Sequence, residues 1–484
     1  MLFNSLEFLI FLPTVFLLYW FVFRKLRWQN LFVVVASYVF YGWWNWKFLI
    51  LIAITTVCSF AAGILIERYR SRETDSAGTF SPSLKAKLVN TLNIILNLGI
   101  LGAYKYYDFF AAELCNLLGI NPSGVVLGLI LPVGISFYTF QALSYSIDVY
   151  RGKLPATHDL VEFAAYISFF PQLVAGPIER ATNLLPQFQR PRTFRYEQAT
   201  DGMRQMLWGF FKKLIIADNC AGFVNYVFDN YTEMGSMMLL LGGVGFAFQI
   251  YGDFSGYSDI AIGAAKLFGI SLKRNFNVPY FSRDIAEFWR RWHISLNTWF
   301  VDYLYIPLGG SREGQWKKVR NTFAIFLTSG LWHGANWTFV CWGAFHAVLF
   351  LPLILLKQNR KYLDVVAADR WYPTLKEVGQ MAWTFFLVVL GWIIFRAENI
   401  TQAWDYFRCM ATEITRYYPL GEHIVNFYYI AILLIVEWFS RREEHAFAKI
   451  PIPWRWLRML CYAAFFIWMI VNRGNQATFI YFQF

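Results

Sequence analysis

Long apolar runs, separated by short basic or aromatic segments, make up most of the chain. A helix that crosses a bilayer needs about 20 mainly apolar residues, and runs of this kind predict eleven or twelve spans here. The predicted spans are 5–23, 30–46, 47–66, 88–110, 124–148, 203–229, 236–269, 320–336, 337–356, 378–395, 425–440 and 455–472. This pattern predicts an all-α, polytopic membrane protein.

Two regions do not fit simple spans. Residues 159–178 lie between two basic segments, and the sequence Gly176-Pro177 near their end favours a re-entrant segment over two crossings. Residues 273–320 carry nine Lys or Arg residues interleaved with aromatic residues, which is too polar for a span and too aromatic for a free loop. We expect this second region to form helices that lie at, or dip into, the cytoplasmic face of the membrane.

The composition supports the membrane assignment. Of the 484 residues, 57% are hydrophobic and only 15% are charged, whereas soluble domains carry about 25% charged residues. No internal repeat is visible, and only residues 71–84 have the composition of a flexible loop. We therefore expect a single membrane domain over residues 1–484.

The net charge, the cysteines and the first apolar run further limit the class of protein to which the chain can belong. The formal net charge is +12, which the concentration of Lys and Arg in cytoplasmic loops explains without a nucleic acid partner. The six cysteines are scattered singly, so neither a disulfide framework nor a metal site is expected. The run Phe8–Phe23 has no preceding cation and no cleavage site, and we expect an uncleaved first span with its N-terminus outside.

One histidine lies among apolar residues. His333 occupies the sequence LWHGANW at 331–337, near the end of the predicted span 320–336. An ionisable residue at membrane depth is costly and is therefore a candidate functional residue, although a hydrogen-bonded core histidine explains the position equally well. On a helix, His333 and Asn336 share a face and can act on one group.

A second histidine follows two arginines in the sequence FWRRWHISL at 288–296. On one continuous helix, Trp289 and His293 share a face, while Arg290 and Arg291 point to water or phosphate. His293 is then expected to lie among aromatic side chains. Taken alone, the segment is better explained as an amphipathic interfacial helix with a packed histidine.

Polar side chains interrupt the predicted span 236–269 and end the predicted re-entrant segment. The residues concerned are Asp253, Ser255, Tyr257, Asp259, Glu179 and Arg180. Carboxylates and hydroxyls are costly in lipid unless they are paired or face a cavity. Both a substrate passage and a polar network between helices account for them.

An intramembrane histidine without a Cys or Ser nucleophile motif suits proton transfer. A neutral imidazole accepts a proton near physiological pH. A hydroxyl that attacks a thioester needs such a base together with donors for the developing oxyanion, and Asn336 or Trp332 are the candidate donors. No phosphate-binding loop, serine-hydrolase or zinc-protease motif accompanies these residues.

Six segments occur in an order that is characteristic of one family. They are LPVGISFYTFQALSYSIDVYRG (131–152), PQLVAGPIER (171–180), YGDFSGYSDIAIG (251–263), FWRRWHISLNTWFVDYLYIPLGG (288–310), LWHGANW (331–337) and FIYFQF (479–484). Together they resemble the membrane-bound O-acyltransferase (MBOAT) family, in particular its bacterial branch for alginate O-acetylation. The likeness runs over nearly the whole chain, with a signature core at about residues 131–346.

The resemblance implies a ring of helices around a central tunnel, and an O-acyltransferase activity. It implies that His333 is the catalytic base or an acyl relay, and that His293 assists donor binding or orients the reaction. The further candidate substrate or tunnel residues are Trp332, Asn336, Asp253, Ser255, Tyr257, Asp259, Arg290, Arg291, Glu179 and Arg180.

The resemblance also implies the reaction partners. The donor would be acetyl-CoA or a carrier-protein thioester, with no bound cofactor and no metal. A periplasmic or membrane-tethered partner of the SGNH-hydrolase type would pass the acetyl group to a polysaccharide such as alginate, peptidoglycan or cellulose. The location implied is the bacterial cytoplasmic (inner) membrane, with a multi-pass chain and a periplasmic N-terminus.

A transporter or flippase that moves a saccharide or acyl substrate without chemistry is the alternative. Broken spans and intramembrane polar clusters also occur in transporters. Transporters commonly contain repeats with matching broken helices in the two halves, and no such repeat is visible in this sequence. The ordered motifs therefore favour the acyltransferase.

Overall fold

The computed structural model describes residues 1–70, 83–174, 176–312, 314–416, 421–450 and 452–480. Most of the predicted loop 71–84 and the last four residues of the motif 479–484 therefore lie outside the described residues. Within these ranges the regular secondary structure is helical, without a strand.

The chain divides into two compact units. They are Met1–Gly202 with Ala261–Lys273, and Met203–Ile260 with Arg274–Phe484. The first ten α-helices are α1 (Leu6–Leu17), α2 (Leu26–Asn45), α3 (Leu49–Tyr69), α4 (Leu84–Lys105), α5 (Tyr107–Leu118), α6 (Ile135–Tyr150), α7 (Leu160–Ser168), α8 (Phe170–Leu173), α9 (Ala181–Phe188) and α10 (Tyr196–Phe211). The next ten are α11 (Asp218–Asp229), α12 (Ser236–Leu267), α13 (Ile285–Arg291), α14 (Ile294–Phe300), α15 (Gln315–His333), α16 (Trp337–Leu355), α17 (Leu375–Arg396), α18 (Ile400–Thr412), α19 (Ile424–Ser440) and α20 (Arg455–Val471). The single domain over 1–484 stays a prediction.

Several helices have the length and apolar character of membrane spans. In the described residues these are Leu26–Tyr69, Leu84–Lys105, Ser236–Leu267, Trp337–Leu355 and Leu375–Arg396, with shorter apolar helices at Leu6–Val22 and Ile424–Ser440. The predicted class, an all-α multi-pass membrane protein, is confirmed. The total of eleven or twelve spans and the ring around a tunnel stay predictions.

The predicted span 124–148 is wrong in its first part. Helix α6 begins only at Ile135, directly after Gly134, whose backbone is left-handed with a φ of +72°. The carbonyl oxygen of Leu173 occupies the place that a Cβ of residue 134 would need. A glycine is required there, because it alone combines this backbone conformation with such a close approach.

Residues 159–178 form two short helices. Helix α7 has nine residues and α8 has four, and neither is long enough to cross a bilayer. Two separate crossings are therefore excluded for these helices. A re-entrant path stays the prediction for this segment.

The first part of the aromatic and basic region 273–320, up to residue 300, is largely internal. Helices α13 and α14 are followed by a π-helical turn at Val301–Tyr305, and most side chains from 275 to 300 are buried in the second unit. Helices α13 and α14 are therefore not amphipathic helices on a surface. Their depth in the membrane stays a prediction.

Two glycines bring α15 and α16 together. A Cβ at Gly330 would collide with the carbonyl oxygen of Phe339, and a Cβ at Gly343 would collide with that of Phe326. Small residues let helix backbones approach closely in membranes. The close pairing fixes the end of α15, where His333 lies.

We expect Gly330→Ala to destabilise the protein by about 1–3 kcal/mol, because the added methyl group overpacks this helix pair. Thermal unfolding in detergent would measure the change. The matched control is Gly379→Ala in α17, where a Cβ meets no heavy atom within 4 Å. An equal effect of both substitutions would contradict the close packing of α15 and α16.

Candidate active site

His293 lies at a break between two helices. Helix α13 ends at Arg291, α14 begins at Ile294, and His293 between them has a left-handed backbone with a φ of +45°. The one continuous helix considered for 288–296 is therefore wrong, because the chain breaks at His293. The side-chain amide of Asn297 donates to the carbonyls of Trp289 and Trp292, each at 2.6 Å, and this satisfies the carbonyls that the break leaves without helical partners.

The ring of His293 is held by one of its nitrogens. Nδ1 lies 3.1 Å from Oδ1 of Asn275, an oxygen that also accepts from the backbone and the hydroxyl of Ser295. Because the amide of Asn275 donates to Ser258, we assign Oδ1 as the acceptor and the imidazole proton to Nδ1. Nε2 is then the basic nitrogen, and it has no hydrogen-bond partner in the described part of the chain.

Burial keeps this imidazole neutral. His293 is only 1% exposed, and its ring packs edge-on against Phe254 at 4.7 Å between centroids. Burial lowers the pKa of His293 to about 3. The sequence-based prediction that His293 lies among aromatic side chains is confirmed by these contacts.

His333 is the last residue of α15 and is also buried, with 3% exposure. Its ring centroid lies 5.0 Å from Trp332, 5.1 Å from Trp342 and 5.4 Å from Phe395. The centroids of His333 and His293 are 6.5 Å apart. The two imidazoles are therefore neighbours within one group of buried aromatic side chains.

Asn336 does not share a helical face with His333. Helix α15 stops at His333, Gly334 is extended, and Asn336 caps the start of α16. Its side-chain oxygen accepts from the backbone of Thr338 at 3.0 Å, and its amide donates to the carbonyl of Glu398 at 2.7 Å. The side chain is thus engaged in structural bonds, and the face predicted from helical spacing is wrong.

The two arginines before His293 are not both turned to water. Arg291 is 5% exposed and pairs with the buried Glu287 at 2.8 Å. Arg290 donates to the carbonyls of Asn359 and Tyr362 at 2.7 and 2.6 Å. The prediction that the arginines face water or phosphate is therefore wrong for Arg291. The guanidinium group of Arg291 is neutralised by the buried carboxylate of Glu287 instead.

The acidic residues of α12 form ion pairs. Asp253 pairs with Lys213 at 2.8 Å, and Asp259 pairs with Lys212. Ser255 donates to the carbonyl of its own helix at Tyr251. These contacts favour the reading of Asp253, Ser255 and Asp259 as a polar network between helices.

Three other predicted residues have different surroundings, namely Tyr257 and the pair Glu179 and Arg180 at the end of the predicted re-entrant segment. Tyr257 packs against Phe479 at 4.3 Å between ring centroids. Glu179 belongs to the first unit, where its carboxylate accepts from Asn183 at 2.6 Å and from the backbone of Lys273. Its neighbour Arg180 is in the same unit and half-buried. A role of these residues in substrate passage stays a prediction.

Trp342 was missed by the sequence analysis. Its side chain is fully buried next to His333, and its indole nitrogen has no hydrogen-bond partner in the described residues. A buried N–H group without a partner is costly and requires an explanation. The chain contains 21 tryptophans, and nothing in the sequence alone distinguishes Trp342 from the others.

A family model matches most of the chain. The model of the membrane-bound O-acyltransferase family matches residues 14–363, a range that includes His293 and His333. The chain belongs to this family. It is accordingly a multi-pass membrane enzyme of the O-acyltransferase class.

Curated relatives agree with this class. The probable alginate O-acetylase AlgI of Pseudomonas aeruginosa is 42% identical over 416 residues, which cover 85% of this chain and 75% of the relative. The peptidoglycan O-acetyltransferase of Helicobacter pylori is 30% identical, over 100% of this chain and 98% of the relative. The teichoic acid D-alanyltransferase of Bacillus subtilis is 30% identical over 55% of this chain and 69% of the relative. All three are named as enzymes that transfer acetyl or alanyl groups.

Proposed function

We propose that this protein takes an acetyl group from a cytosolic thioester and passes it across the membrane for O-acetylation of a cell-surface or exported polysaccharide. Acetyl-CoA is the preferred donor, and a carrier-protein thioester is the other candidate. The observation that carries the proposal is the pair of buried histidines, His293 and His333, with ring centroids 6.5 Å apart in a chain of the O-acyltransferase family.

The chemistry follows from a neutral imidazole in an apolar enclosure. The oxygen of an acceptor hydroxyl attacks the thioester carbonyl carbon while its proton moves to a ring nitrogen of His333. The carbon–sulfur bond then breaks, the thiolate leaves with that proton, and the new ester stays on the acceptor. In this scheme Nε2 of His293 accepts a hydrogen bond from the acceptor hydroxyl and orients it, because Nδ1 carries the proton and is fixed by Asn275.

The acceptor and the partner rest on the relatives and the resemblance. Relatives named for alginate and for peptidoglycan support a polysaccharide acceptor, and cellulose remains a third candidate. An SGNH-type partner outside the membrane would deliver the group to that polymer. The protein would lie in the bacterial cytoplasmic membrane with a periplasmic N-terminus, an orientation that the basic residues Arg24, Lys25 and Arg27 after the first apolar run support.

A sided transport assay tests the proposal. Proteoliposomes would be loaded with radiolabelled acetyl-CoA, with the partner and a polysaccharide acceptor supplied only outside. We expect labelled, ester-linked acetyl groups on the outer acceptor that depend on this protein. Label that stays inside although the thioester is consumed would contradict transfer across the membrane.

We further propose that the indole N–H of Trp342 stabilises the developing oxyanion, a role for which Asn336 is not available. Trp342→Phe is expected to lower kcat about 100-fold, since loss of one oxyanion donor has an effect of this order. Steady-state kinetics in nanodiscs would measure it, with Trp316→Phe at an 83% exposed tryptophan as the matched control. A normal kcat for Trp342→Phe would refute this role.

A further inference from the structure

The side chain of Asn275 is surrounded by four polar groups in the buried part of the second unit. Its Oδ1 lies 3.1 Å from Nδ1 of His293, 3.2 Å from the backbone nitrogen of Ser295 and 2.9 Å from the hydroxyl of Ser295. Its Nδ2 donates to the hydroxyl of Ser258 at 3.2 Å. Both ends of the amide are therefore engaged, and one end holds the ring of His293.

The backbone of Ser295 fixes which way the amide of Asn275 points. A backbone N–H group can only donate, so the atom of Asn275 that faces the nitrogen of Ser295 must be an acceptor. If the amide were turned over, two N–H groups would face each other inside the protein, without an acceptor between them. The contact with Ser295 thus establishes the orientation independently of Ser258, whose hydroxyl can donate or accept.

The orientation of Asn275 decides the tautomer of His293. Because Oδ1 carries no hydrogen, the ring nitrogen that faces it, Nδ1, must hold the imidazole proton. The second nitrogen, Nε2, then keeps its lone pair, and it has no hydrogen-bond partner in the described part of the chain. His293 can therefore accept a hydrogen bond at Nε2, but it cannot donate one there.

An amide at this place has a different effect from a carboxylate. In catalytic triads, a buried carboxylate on the same ring nitrogen orients the histidine and also stabilises the imidazolium that forms during the reaction. Asn275 orients the ring of His293 and imposes the same tautomer, but it supplies no negative charge. The contact therefore favours a neutral imidazole over an imidazolium.

The other surroundings of His293 also disfavour a second proton. The rings of Phe254, Phe276 and Trp332 lie at 4.7, 6.4 and 5.7 Å between centroids. The titratable side chain that faces His293 from another helix is His333 of α15, at 6.5 Å, and positive charges on the two rings would repel each other. Burial in these surroundings lowers the pKa of His293 to about 3.

We infer that Asn275 is a positioning residue that keeps His293 a neutral hydrogen-bond acceptor, so that His333 alone exchanges a proton during the reaction. This inference rests on the proposed function and divides the work between the two histidines. It also limits what His293 can hold: the substrate group at Nε2 is a hydrogen-bond donor, such as a hydroxyl, and not a carbonyl oxygen or an oxyanion. The developing oxyanion therefore needs a donor other than His293.

The substitution Asn275→Asp adds a charge and preserves the contacts that shape the site. The backbone carbonyl of Asn275, which accepts from the backbone of Ile294 at 2.9 Å, is not altered. A carboxylate oxygen can accept from Ser295 and from Nδ1 of His293 as the amide oxygen does, and the hydroxyl of Ser258 can turn to donate to the other oxygen. We therefore expect this variant to fold like the wild type, which a size-exclusion profile would check.

Nitrogen NMR of the histidine rings tests the inference without requiring turnover. The purified full-length protein would carry isotope-labelled histidine in nanodiscs, and the signals of His293 would be identified by their loss in His293→Gln. For the wild type at neutral pH, we expect a proton on Nδ1 and none on Nε2. A proton on Nε2 of the wild type at this pH would overturn the inference.

The same spectra, recorded over a range of pH, show the effect of the amide. Asn275→Asp should raise the pH at which Nε2 takes up its proton by about 1–3 units, because a neighbouring negative charge stabilises the imidazolium. The matched control is Asn399→Asp, at the exposed N-cap of α18, where a carboxylate replaces an amide without loss of the cap. A protonation midpoint of His293 that is the same in both variants would contradict the inference.

The dependence of kcat on pH shows the consequence for the reaction. On the acidic side, log kcat of the wild type should fall with the slope of a single proton, because only His333 must be unprotonated to act. In Asn275→Asp, the slope should approach that of two protons at the pH where the spectra show a proton on Nε2, because His293 can then no longer accept. Asn399→Asp should keep the single-proton slope, and a two-proton slope in the wild type would contradict the inference.

The proposed function and this inference can fail separately. A wild type that shows the expected tautomer of His293 but transfers no acyl group from any donor would contradict the proposed function and leave the assignment of the proton in place. Turnover that requires His333, with a kcat that does not respond where Nε2 of His293 is protonated, would contradict the inference alone.

Discussion

Replacement of Lys213 by alanine is expected to destabilise the protein by about 3–5 kcal/mol, because it leaves two buried carboxylates without their cation. The ammonium group lies 2.8 Å from Oδ1 of Asp218 and 2.8 Å from Oδ1 of Asp253, and the three side chains are between 1% and 4% exposed. Thermal unfolding in detergent would measure the loss. The size of the effect follows from the burial of the two carboxylates, which limits solvation of the remaining charges.

The same substitution should loosen the segment after α20. Lys213 donates to the carbonyl of Ala477 at 3.1 Å, and the backbone of Ile480 donates to Asp253 at 2.7 Å. Without Lys213, this segment loses part of its attachment and should become sensitive to a protease added to the native protein. Limited proteolysis followed by mass spectrometry would locate the new cleavage sites.

Lys449 provides the matched control for Lys213. It is 80% exposed and pairs with Glu443 at 2.7 Å, and a surface pair of this kind contributes less than about 1 kcal/mol. In the Lys213→Ala background, Asp253→Asn should recover part of the stability, since it removes one of the unpaired charges. Equal stability of Lys213→Ala and Lys449→Ala would contradict the account of the buried network.

The His333→Ala variant is expected to lose about 1,000-fold in kcat, within the range of a general base. The substitution removes the group that accepts the hydroxyl proton in the proposed reaction. Release of free thiol from acetyl-CoA in nanodiscs would measure kcat, and binding of radiolabelled CoA would measure the affinity. The two readouts separate a chemical defect from a folding defect.

His158 is the matched control for His333. Its side chain is 67% exposed and lies 2.9 Å from a carboxylate oxygen of Glu67 in the first unit. His158→Ala should keep the wild-type kcat. Full turnover by a well-folded His333→Ala variant would exclude His333 as the reacting base.

The helices were predictable because apolar runs of about 20 residues leave few alternatives in a bilayer. The apolar run 378–395, for example, corresponds to α17 at Leu375–Arg396. The late start of α6 was harder to predict, because Pro132 and Gly134 lie within an otherwise apolar stretch. The requirement for a glycine at position 134 comes from the close approach of the Leu173 carbonyl. That contact joins residues that are distant in the sequence, and periodicity carries no information about it.

The candidate site was predictable in its residues more than in its geometry. The burial of His293 followed from its aromatic neighbours, but the helix break beside it depends on Asn275 and Asn297, whose roles are visible only in three dimensions. The ion pairs of α12 had a signal in the sequence, because Lys212 and Lys213 interrupt the apolar run 203–229. A cation inside a predicted span needs a counter-ion, and Asp253 and Asp259 were available.

The most direct test of the central claim is whether the purified protein consumes a thioester. The wild type in nanodiscs would receive radiolabelled acetyl-CoA or an acetylated carrier protein, together with the SGNH-type partner and a polysaccharide, and both thiol release and label on the acceptor would be followed. The account predicts turnover that produces an acetyl ester and requires His333. No thioester loss with any donor, together with counterflow of an intact saccharide in vesicles that is unchanged in His333→Ala, would show a transporter instead.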